Sequence, residues 1–457
     1  MEEEGGNKKV GIILTACFAV LILFTLVLFG GKLSSLLNPS DRVYQYNRAV
    51  QCANGTKEQR VQAADWLEKS AAQGYAPAEN VLGLYYEEGR DGVALNPSLA
   101  FQLFSKAAAK GYTPALGSLG SCYEHGSGTK QDLGKALDLY EKGTARGDKI
   151  CEYYLGLCYH SGTGVNKDVG KAVDWMTKSA GQGCVEARHI LGLWYYRGDG
   201  VPKDPVRAVD YFVQGANGSD AQSEYDLGLC YQSGTGVAED QAKAITYFTK
   251  AAEQGFADAD NELGVCCELG RGVSKDGAKA VEWFQKGAQA GDNNSEWNLG
   301  DCYEHGIGGK TDNAQAFQWY EKAAAQGDVN GEYSLGMCYR DGIGVAKDGK
   351  QAFEWFSKSA AQNYGNAVDQ VGECYFYGTG VTVDYSKAVE WYRKAAEMNC
   401  ARSYEMLGWC YLNGNGVAID YNQAGTNLQK AVDLGDEEAI RILSLLNRQT
   451  GGTYTKK

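Results

Sequence analysis

Small and apolar residues recur at helical spacing along almost the whole chain. The pattern is clearest in residues 155–165, which read LGLCYHSGTGV, and it returns at a fixed interval. Ten copies place the glycine of the Leu-Gly pair, here called position 0, at Gly83, Gly120, Gly156, Gly192, Gly228, Gly264, Gly300, Gly336, Gly372 and Gly408. The first interval is 37 residues and the other eight are 36. A period of this length is typical of a solenoid, in which each unit buries its apolar face against its neighbours.

Each unit contains two segments with helical periodicity. In the first, positions −5, −1, 0, +2 and +3 fall on one face at about 100° per residue. Position +3 is Tyr in nine copies and Cys267 in the tenth. The second segment begins near an aspartate, as in Asp168 before Lys171-Ala172, continues through an aromatic pair and ends in small residues and Gly. The sequence therefore predicts an all-α solenoid of about ten 36-residue helix pairs over residues 41–448.

The glycine at position 0 lies in the middle of a predicted helix. Glycine there costs about 1 kcal/mol relative to alanine. Its recurrence therefore predicts that a neighbouring helix approaches closely at this point. At the ends of the solenoid, Asp41–Ala53 lacks the Leu-Gly signature and is predicted to be an atypical capping helix, with Ser40 or Asp41 as its N-cap. Residues 436–448 are predicted to form a closing helix.

The segment Val10–Phe29 contains 20 residues without a charge. As a helix it would be about 30 Å long, the thickness of the hydrocarbon core of a bilayer. A cleaved signal peptide and a buried helix are the alternatives, but the run is longer than a signal core and no A-x-A-like site follows it. We expect a polar tail over residues 1–9, a transmembrane helix over 10–30, a linker over 31–40 and a C-terminal tail over 449–457.

The charges beside this segment hardly fix its orientation. Lys8 and Lys9 on one side are balanced by Lys32 and Arg42 on the other. The tighter lysine pair slightly favours a cytoplasmic N-terminus. We therefore expect a single-pass membrane protein, with the repeats on the extracytoplasmic or luminal side.

The repeat motif resembles that of a known family. The motif is Leu-Gly-x-x-Tyr-x-x-Gly-x-Gly-Val, then Lys-Ala-x-x-Trp/Tyr-Phe, then Ala-Ala-x-x-Gly, and over about residues 57–435 it is similar to the Sel-one-like repeat, a relative of the tetratricopeptide repeat. The resemblance implies a right-handed superhelix of antiparallel helix pairs. It also implies a scaffold or adaptor in a membrane-associated complex.

The net charge of the protein limits the kinds of partner that it is expected to bind. The net charge is −13 and the pI is about 5.0. Binding of nucleic acid, or of an anionic membrane surface through the repeats, needs a basic field, so neither is expected. We expect a protein partner of basic or neutral character, and contact with the lipid bilayer only through Val10–Phe29.

No motif in the sequence indicates catalysis, a cofactor or a metal. The recurring Gly-x-Gly has no preceding strand and recurs in nearly every unit, so a left-handed turn between helices explains it better than a phosphate site. Ser127 and Lys130 match a Ser-x-x-Lys nucleophile motif by chance, in a variable loop. The four histidines show no metal-ligand spacing. A hydrolase like those of the cysteine-rich branch of the family is the least favoured function.

Fourteen cysteines raise the question of disulfides. Eight of them share core position +2: Cys122, Cys158, Cys230, Cys266, Cys302, Cys338, Cys374 and Cys410. Packed helices lie about 10 Å apart, beyond the roughly 7 Å Cα separation that a disulfide tolerates. We expect buried, reduced thiols. The sequons at Asn54, Asn217 and Asn293 would matter only in a secretory lumen.

The first helix also has a variable arc, at positions −3, −2, +1, +4 and +5, opposite the predicted core. In tetratricopeptide-like superhelices the first helix lines the concave side, so this arc is predicted to form a groove. The predicted partner-binding residues are the rings Tyr153, His189, Tyr225, Trp297 and Tyr333, with the acids Asp301, Glu304 and Glu373 setting the charge preference. The alternative is that the rings only pack between adjacent helices. The function predicted is a membrane-anchored interaction scaffold; the alternative is an extracytoplasmic receptor for peptide or glycan fragments.

We predict that Val10–Phe29 stays on the mature protein and anchors it. Membranes washed with alkaline carbonate should retain the chain, and N-terminal sequencing should find the segment intact. A soluble product that begins near residues 31–40 would show instead that the segment is a cleaved signal.

Overall fold

The computed structural model describes residues 38–53 and 55–450. The predicted polar tail, the transmembrane segment 10–30, nearly all of the linker, Asn54 and residues 451–457 lie outside the described residues. Of the described helices, none combines the length and apolar composition that a bilayer crossing requires. The prediction for Val10–Phe29 therefore stays a prediction.

All regular secondary structure in the described ranges is α-helical, which confirms the predicted all-α solenoid. The described residues divide into two compact units, one that ends at Gly218 and one that begins at Ser219. The described helices of the first unit are α1 Arg42–Ala53, α2 Lys57–Ala72, α3 Ala76–Glu88, α4 Pro97–Ala109, α5 Pro114–His125, α6 Leu133–Thr144, α7 Lys149–Ser161, α8 Val169–Gly181, α9 Val185–Arg197 and α10 Pro205–Ala216.

The second unit continues the alternation and ends in one additional helix. Its described helices are α11 Ala221–Ser233, α12 Gln241–Glu253, α13 Ala257–Leu269, α14 Gly277–Gln289, α15 Asn293–His305, α16 Asn313–Ala325, α17 Val329–Asp341, α18 Gly349–Ala361, α19 Gly365–Tyr377, α20 Tyr385–Glu397, α21 Ala401–Asn413, α22 Tyr421–Asp433 and α23 Glu437–Thr450. Odd-numbered helices up to α21 are the first helices of pairs. Helix α23 closes the unit, with Ile442, Leu443 and Leu446 buried against α22.

The pair α1 and α2 is a complete repeat, which the sequence pattern missed. Asp41 is the N-cap, since its carboxylate accepts from the backbone N–H of Val43 at 2.8 Å. Gln73 Nε2 donates to Gln45 Oε1 at 2.9 Å, and Gln326 donates to Glu296 at the corresponding place in a later repeat. This contact puts Gln45 at position −4 and buried Ala49 at position 0. A small side chain thus fills the place of the glycine, and the predicted capping helix is the first helix of a pair.

Aspartate and glycine define the helix ends. Asp276, for example, accepts from the backbone N–H of Lys279 at 3.1 Å and so caps α14. The first helices end at a left-handed glycine such as Gly270, with φ of 75°. The second glycine of the Gly-x-Gly also has a positive φ, and a Cβ on Gly272 would lie 2.8 Å from the backbone oxygen of Gln241 in the preceding repeat. The motif is therefore a turn that packs one repeat on the next.

The glycine at position 0 touches the second helix of its own pair. A Cβ on Gly264 would lie 2.4 Å from Cε1 of Phe284, and one on Gly300 would lie 2.6 Å from Cε1 of Tyr320. Such distances are far shorter than any contact between carbon atoms. The close helix approach predicted from the recurring glycine is confirmed, and a buried ring is what approaches.

The cysteines at position +2 are buried and free, as are most of the thirteen described cysteines. Burial raises the pKa of Cys338 to about 12 and that of Cys410 to about 12. A thiol with so high a pKa is protonated at neutral pH and is a poor nucleophile. In the described residues these cysteines are small core side chains.

We predict that Gly264→Ala lowers the free energy of unfolding by about 1–3 kcal/mol, because the new methyl group collides with the buried ring of Phe284. Gly156→Ala is the matched control. There the new methyl group meets no ring: the terminal methyl of Met176 is 3.2 Å away and the backbone oxygen of Ala172 is 3.3 Å away, so the loss of stability should be smaller, and alanine is the better helix former by about 1 kcal/mol. Urea denaturation followed by circular dichroism measures both variants. Equal loss in the two would contradict the contact as the cause.

Candidate functional site

The five predicted rings at position −3 are buried or half-buried. The ring of Tyr225 lies 5.8 Å from that of Phe248 and 5.1 Å from that of Phe256, centroid to centroid. Tyr333 repeats this arrangement with Phe356 at 5.8 Å and Tyr364 at 5.3 Å. Each of these two tyrosines thus packs on the second helix of its own pair and on the residue that begins the next first helix.

The other three predicted rings also have neighbours. His189 is 9% exposed and lies 6.1 Å from the ring of Phe212. Trp297 Nε1 donates to Ser334 Oγ at 3.0 Å. Tyr153 packs on Tyr154 at 5.3 Å, and burial raises the pKa of Tyr153 to about 12. Partner binding by these five residues stays a prediction.

The three predicted acids lie on two different helices. Asp301 on α15 is 3.1 Å from His305 Nδ1. Glu304, on the same helix, accepts a hydrogen bond of 2.8 Å from the Tyr320 hydroxyl. Glu373 lies on α19 and pairs with Arg402. All three carboxylates therefore have polar partners within the protein.

An open cleft of about 450 Å³ lies between α19 and α21 in the second unit. It is lined by Phe376, Tyr377, Met406, Trp409, Asn413 and Asn415. Tyr377 is 62% exposed and Trp409 is 42% exposed, whereas Met406 is buried. Five of these side chains occupy positions +4 and +5 of one first helix and −2, +1 and +5 of the next, and Asn415 lies in the loop that follows. The cleft thus lies within the variable arc that the sequence predicts as a binding groove.

Trp409 differs from the other described tryptophans in having an uncovered ring. On the second helices, six tryptophans each have a lysine ammonium within 5 Å of the ring centroid: Trp66, Trp175, Trp283, Trp319, Trp355 and Trp391. Trp194 stacks on His160 at 4.3 Å, and Trp297 donates to Ser334. Among the described residues, none stacks on, hydrogen-bonds to or places a cation over the Trp409 indole. Its large apolar ring is left open to solvent.

Phe376, one of the residues that line the cleft, lies near a buried hydroxyl that has no partner among the described residues. Tyr392 is fully buried, and its hydroxyl has no hydrogen-bond partner among the described residues. The equivalent tyrosine in another repeat, Tyr320, donates to Glu304 at position +4. In the repeat of Tyr392, position +4 is Phe376, whose ring centroid lies 6.4 Å from that of Tyr392. Replacing the acceptor with a phenyl ring adds apolar surface to the cleft, and a buried hydroxyl loses its partner.

Charged side chains adjoin the cleft on the same two helices. Arg402 pairs with Glu373 and places its Nε 3.7 Å from Asp369 Oδ2, while the Ser403 hydroxyl also donates to Asp369. Burial raises the pKa of Asp369 to about 6. Burial, followed by the negative charge of Asp436, raises the pKa of Glu405 to about 7.

Comparison with known proteins identifies the repeat. The Sel1 repeat model matches eleven segments: residues 44–75, 76–112, 114–148, 150–184, 185–220, 221–256, 257–292, 294–328, 329–364, 367–400 and 401–436. This protein belongs to the Sel1 repeat family. Its first matched segment, residues 44–75, comprises the pair α1 and α2 described above.

Solved structures of Sel1 repeat proteins share this fold. A protective antigen of uropathogenic Escherichia coli with an SLR fold is 31% identical, with a TM-score of 0.64 over 90% of this chain and 88% of that one. A Sel1 repeat protein from Oxalobacter formigenes is 30% identical, with a TM-score of 0.52 over 70% of this chain and 94% of that one. No curated protein matches the sequence.

The described residues show no group of three or more metal-ligating side chains in the Sel1 repeats. Ser127 and Lys130 lie in the loop between α5 and α6, as the sequence indicates. Phe376 and Trp409 occupy positions +4 and +1 of the predicted variable arc but are not among the predicted site residues. One feature of the sequence could have indicated this site. The second helix carries a tyrosine, Tyr392, while position +4 of the first helix carries Phe376 in place of a glutamate acceptor.

We predict opposite effects from two identical substitutions. Tyr392→Phe removes an unsatisfied buried hydroxyl and should raise the free energy of unfolding by about 1 kcal/mol, whereas Tyr320→Phe breaks the bond to Glu304 and should lower it by about 1–2 kcal/mol. Phenylalanine already occupies this place in other repeats, as Phe284 and Phe356, so both variants should fold. Denaturant titration of the two proteins measures the difference. A loss of stability in Tyr392→Phe equal to that in Tyr320→Phe would show that the hydroxyl has a partner.

Proposed function

We propose that this Sel1 repeat protein is a non-catalytic, membrane-anchored scaffold that binds a protein partner at the cleft between α19 and α21. The observation that carries the proposal is the exposed aromatic surface of Tyr377 and Trp409 in this cleft, together with the unsatisfied buried hydroxyl of Tyr392 beside Phe376. Exposed aromatic rings in a pocket are typical anchors of protein interfaces. Local departures from good packing are expected where a chain serves binding rather than folding.

The anchor and the location of the repeats are part of the same proposal. Their support is the uncharged run Val10–Phe29 and the lysine pair that precedes it. With its N-terminus in the cytoplasm, the protein would present the repeats on the extracytoplasmic or luminal side. There it would hold the partner near the membrane.

A receptor for peptide fragments is the second candidate. The observation in its favour is the size of the cleft, because about 450 Å³ accommodates a few side chains rather than a folded domain. The two candidates differ in the ligand. A scaffold binds an exposed segment of a whole protein, and a receptor binds a free fragment.

Partner binding by the five rings at position −3 is a weaker proposal, because these rings also take part in packing. They include Tyr225 and Tyr333, whose contacts with the second helices make them part of the packing. Alanine at either position should therefore lower stability as well as any binding. A variant of the cleft residues can separate the two effects, because Trp409 has no ring or cation contact to lose.

We predict that a photo-reactive amino acid at Tyr377 crosslinks to the partner in native membranes, while the same group at Glu282, exposed on a second helix of the same unit, does not. Trp409→Ala should reduce the crosslinked product at least tenfold, since loss of an anchor ring costs about 2 kcal/mol or more. Its melting temperature should stay within about 2 °C of the parent protein. Gel mobility of the adduct distinguishes a whole protein from a fragment. Equal crosslinking at Tyr377 and Glu282 would contradict the cleft as the binding site.

A further inference from the structure

The cleft between α19 and α21 has an acidic end. Burial raises the pKa of Tyr377, and the charges of Glu373 and Glu405 raise it further, while Arg402 opposes them. The Tyr377 hydroxyl thus lies within the field of two carboxylates. Glu405 and Trp409 are four residues apart on α21, and residues at this spacing lie one above the other on a helix. The exposed rings therefore adjoin a carboxylate, Glu405, that is itself only 7% exposed.

The positive charges nearby do not neutralise this end. Arg402 pairs with Glu373, lies 3.7 Å from Asp369 and also acts on Glu405, so one guanidinium is shared among three acids. Glu405 forms no hydrogen bond with any described residue. Asp436 and Glu438, at the start of α23, add negative charge beside it. The surface around Glu405 is therefore short of a cation.

In another repeat, a lysine of the protein itself lies between a tryptophan ring and a carboxylate. Lys178 lies over the Trp175 ring at 4.9 Å from the centroid and bonds to Glu152 at 2.7 Å. An ammonium between an indole face and a carboxylate is attracted by both. On the six covered tryptophans the lysine is three residues further along the helix, whereas the residue three beyond Trp409 is Leu412. The cleft thus has a tryptophan ring, Trp409, and a nearby acid, Glu405, but no lysine at the corresponding position.

We propose that the cleft binds a peptide segment in which a lysine or arginine lies beside a large apolar residue. The apolar side chain packs between Tyr377 and Met406, and the cation covers the Trp409 ring and pairs with Glu405. This inference rests on the proposed function and adds the chemistry of the ligand. It also agrees in sign with the net charge of −13.

The test is selection from a random dodecapeptide library displayed on phage. The full chain in detergent micelles is the immobilised target, and each enriched peptide is then tested against the parent and the Trp409→Ala proteins. Enriched sequences should carry a lysine or arginine within two residues of a large apolar side chain. Synthetic peptides are then titrated by fluorescence anisotropy. Replacing the basic residue with norleucine should weaken binding about tenfold, as should Glu405→Gln.

Trp391→Ala is the matched control for loss of a tryptophan from the same unit, because the Trp391 ring is already covered by Lys394. It should leave peptide affinity unchanged. The inference would be overturned if the enriched peptides were apolar and contained no lysine or arginine, and if their affinity fell in Trp409→Ala but not in Glu405→Gln. The cleft would then remain the binding surface. Peptides that bind the Trp409→Ala protein equally well would overturn the cleft itself, and with it the proposed function.

A second readout is the pH dependence of peptide affinity. The charged groups facing Glu405 are Arg402 on its own helix, Asp369 on α19, and Asp436 and Glu438 at the start of α23. With a pKa of about 7, the ionised fraction of Glu405 rises about tenfold between pH 6 and pH 8. A cation binds only the ionised carboxylate, so affinity should rise by about the same factor. The rise should be much smaller in Glu405→Gln; an equal rise in both proteins would overturn the role of Glu405.

Discussion

The contact between the position 0 glycine and a side chain of the second helix is the constraint on which the ten pairs from α3 to α22 depend. A Cβ on Gly264 would lie 2.4 Å from the Phe284 ring, and Gly228 meets Phe248 in the same way. Where a buried ring faces this glycine, a larger residue would separate the two helices, so the contact fixes their distance; the pair α1 and α2, with Ala49 at position 0, is built differently. The core positions are consequently almost the same in each repeat. Individual repeats can differ only on the surfaces that this contact leaves free.

One repeat differs in a way that affects both packing and surface. In the pair α15 and α16, Tyr320 donates to Glu304, so the buried hydroxyl is satisfied and the first helix carries a carboxylate. In the pair α19 and α20 the tyrosine is kept as Tyr392, but Phe376 replaces the acceptor. An unsatisfied buried hydroxyl destabilises the fold by about 1–3 kcal/mol. The same exchange contributes an aromatic ring to a cleft that combines exposed Tyr and Trp side chains.

Lysine side chains cover many of the described aromatic rings and so reduce the apolar area that these rings expose to solvent. The second helices place a lysine over each of their described tryptophans, which shields apolar surface with a solvated charge. Lysines at the starts of second helices lie over tyrosines at position +3 in the same manner, as Lys243 does over Tyr231. Trp409 has no such cover. Because the other described tryptophan rings have a covering or bonding partner, the open Trp409 ring is the one available to a ligand.

The sequence by itself determined the helix pairs, their period, the turn glycines and the buried cysteines, because each follows from local spacing that repeats ten times. It also located the variable arc of the first helix. Only the tertiary structure decided which residues of that arc are open. Tyr225 and Tyr333 look exposed on a helical wheel, but residues Phe256 and Tyr364, from the start of the next repeat, fold over them. Trp409 stays open and Tyr392 lacks an acceptor because of what adjacent helices place beside them, which the spacing along a single helix does not contain.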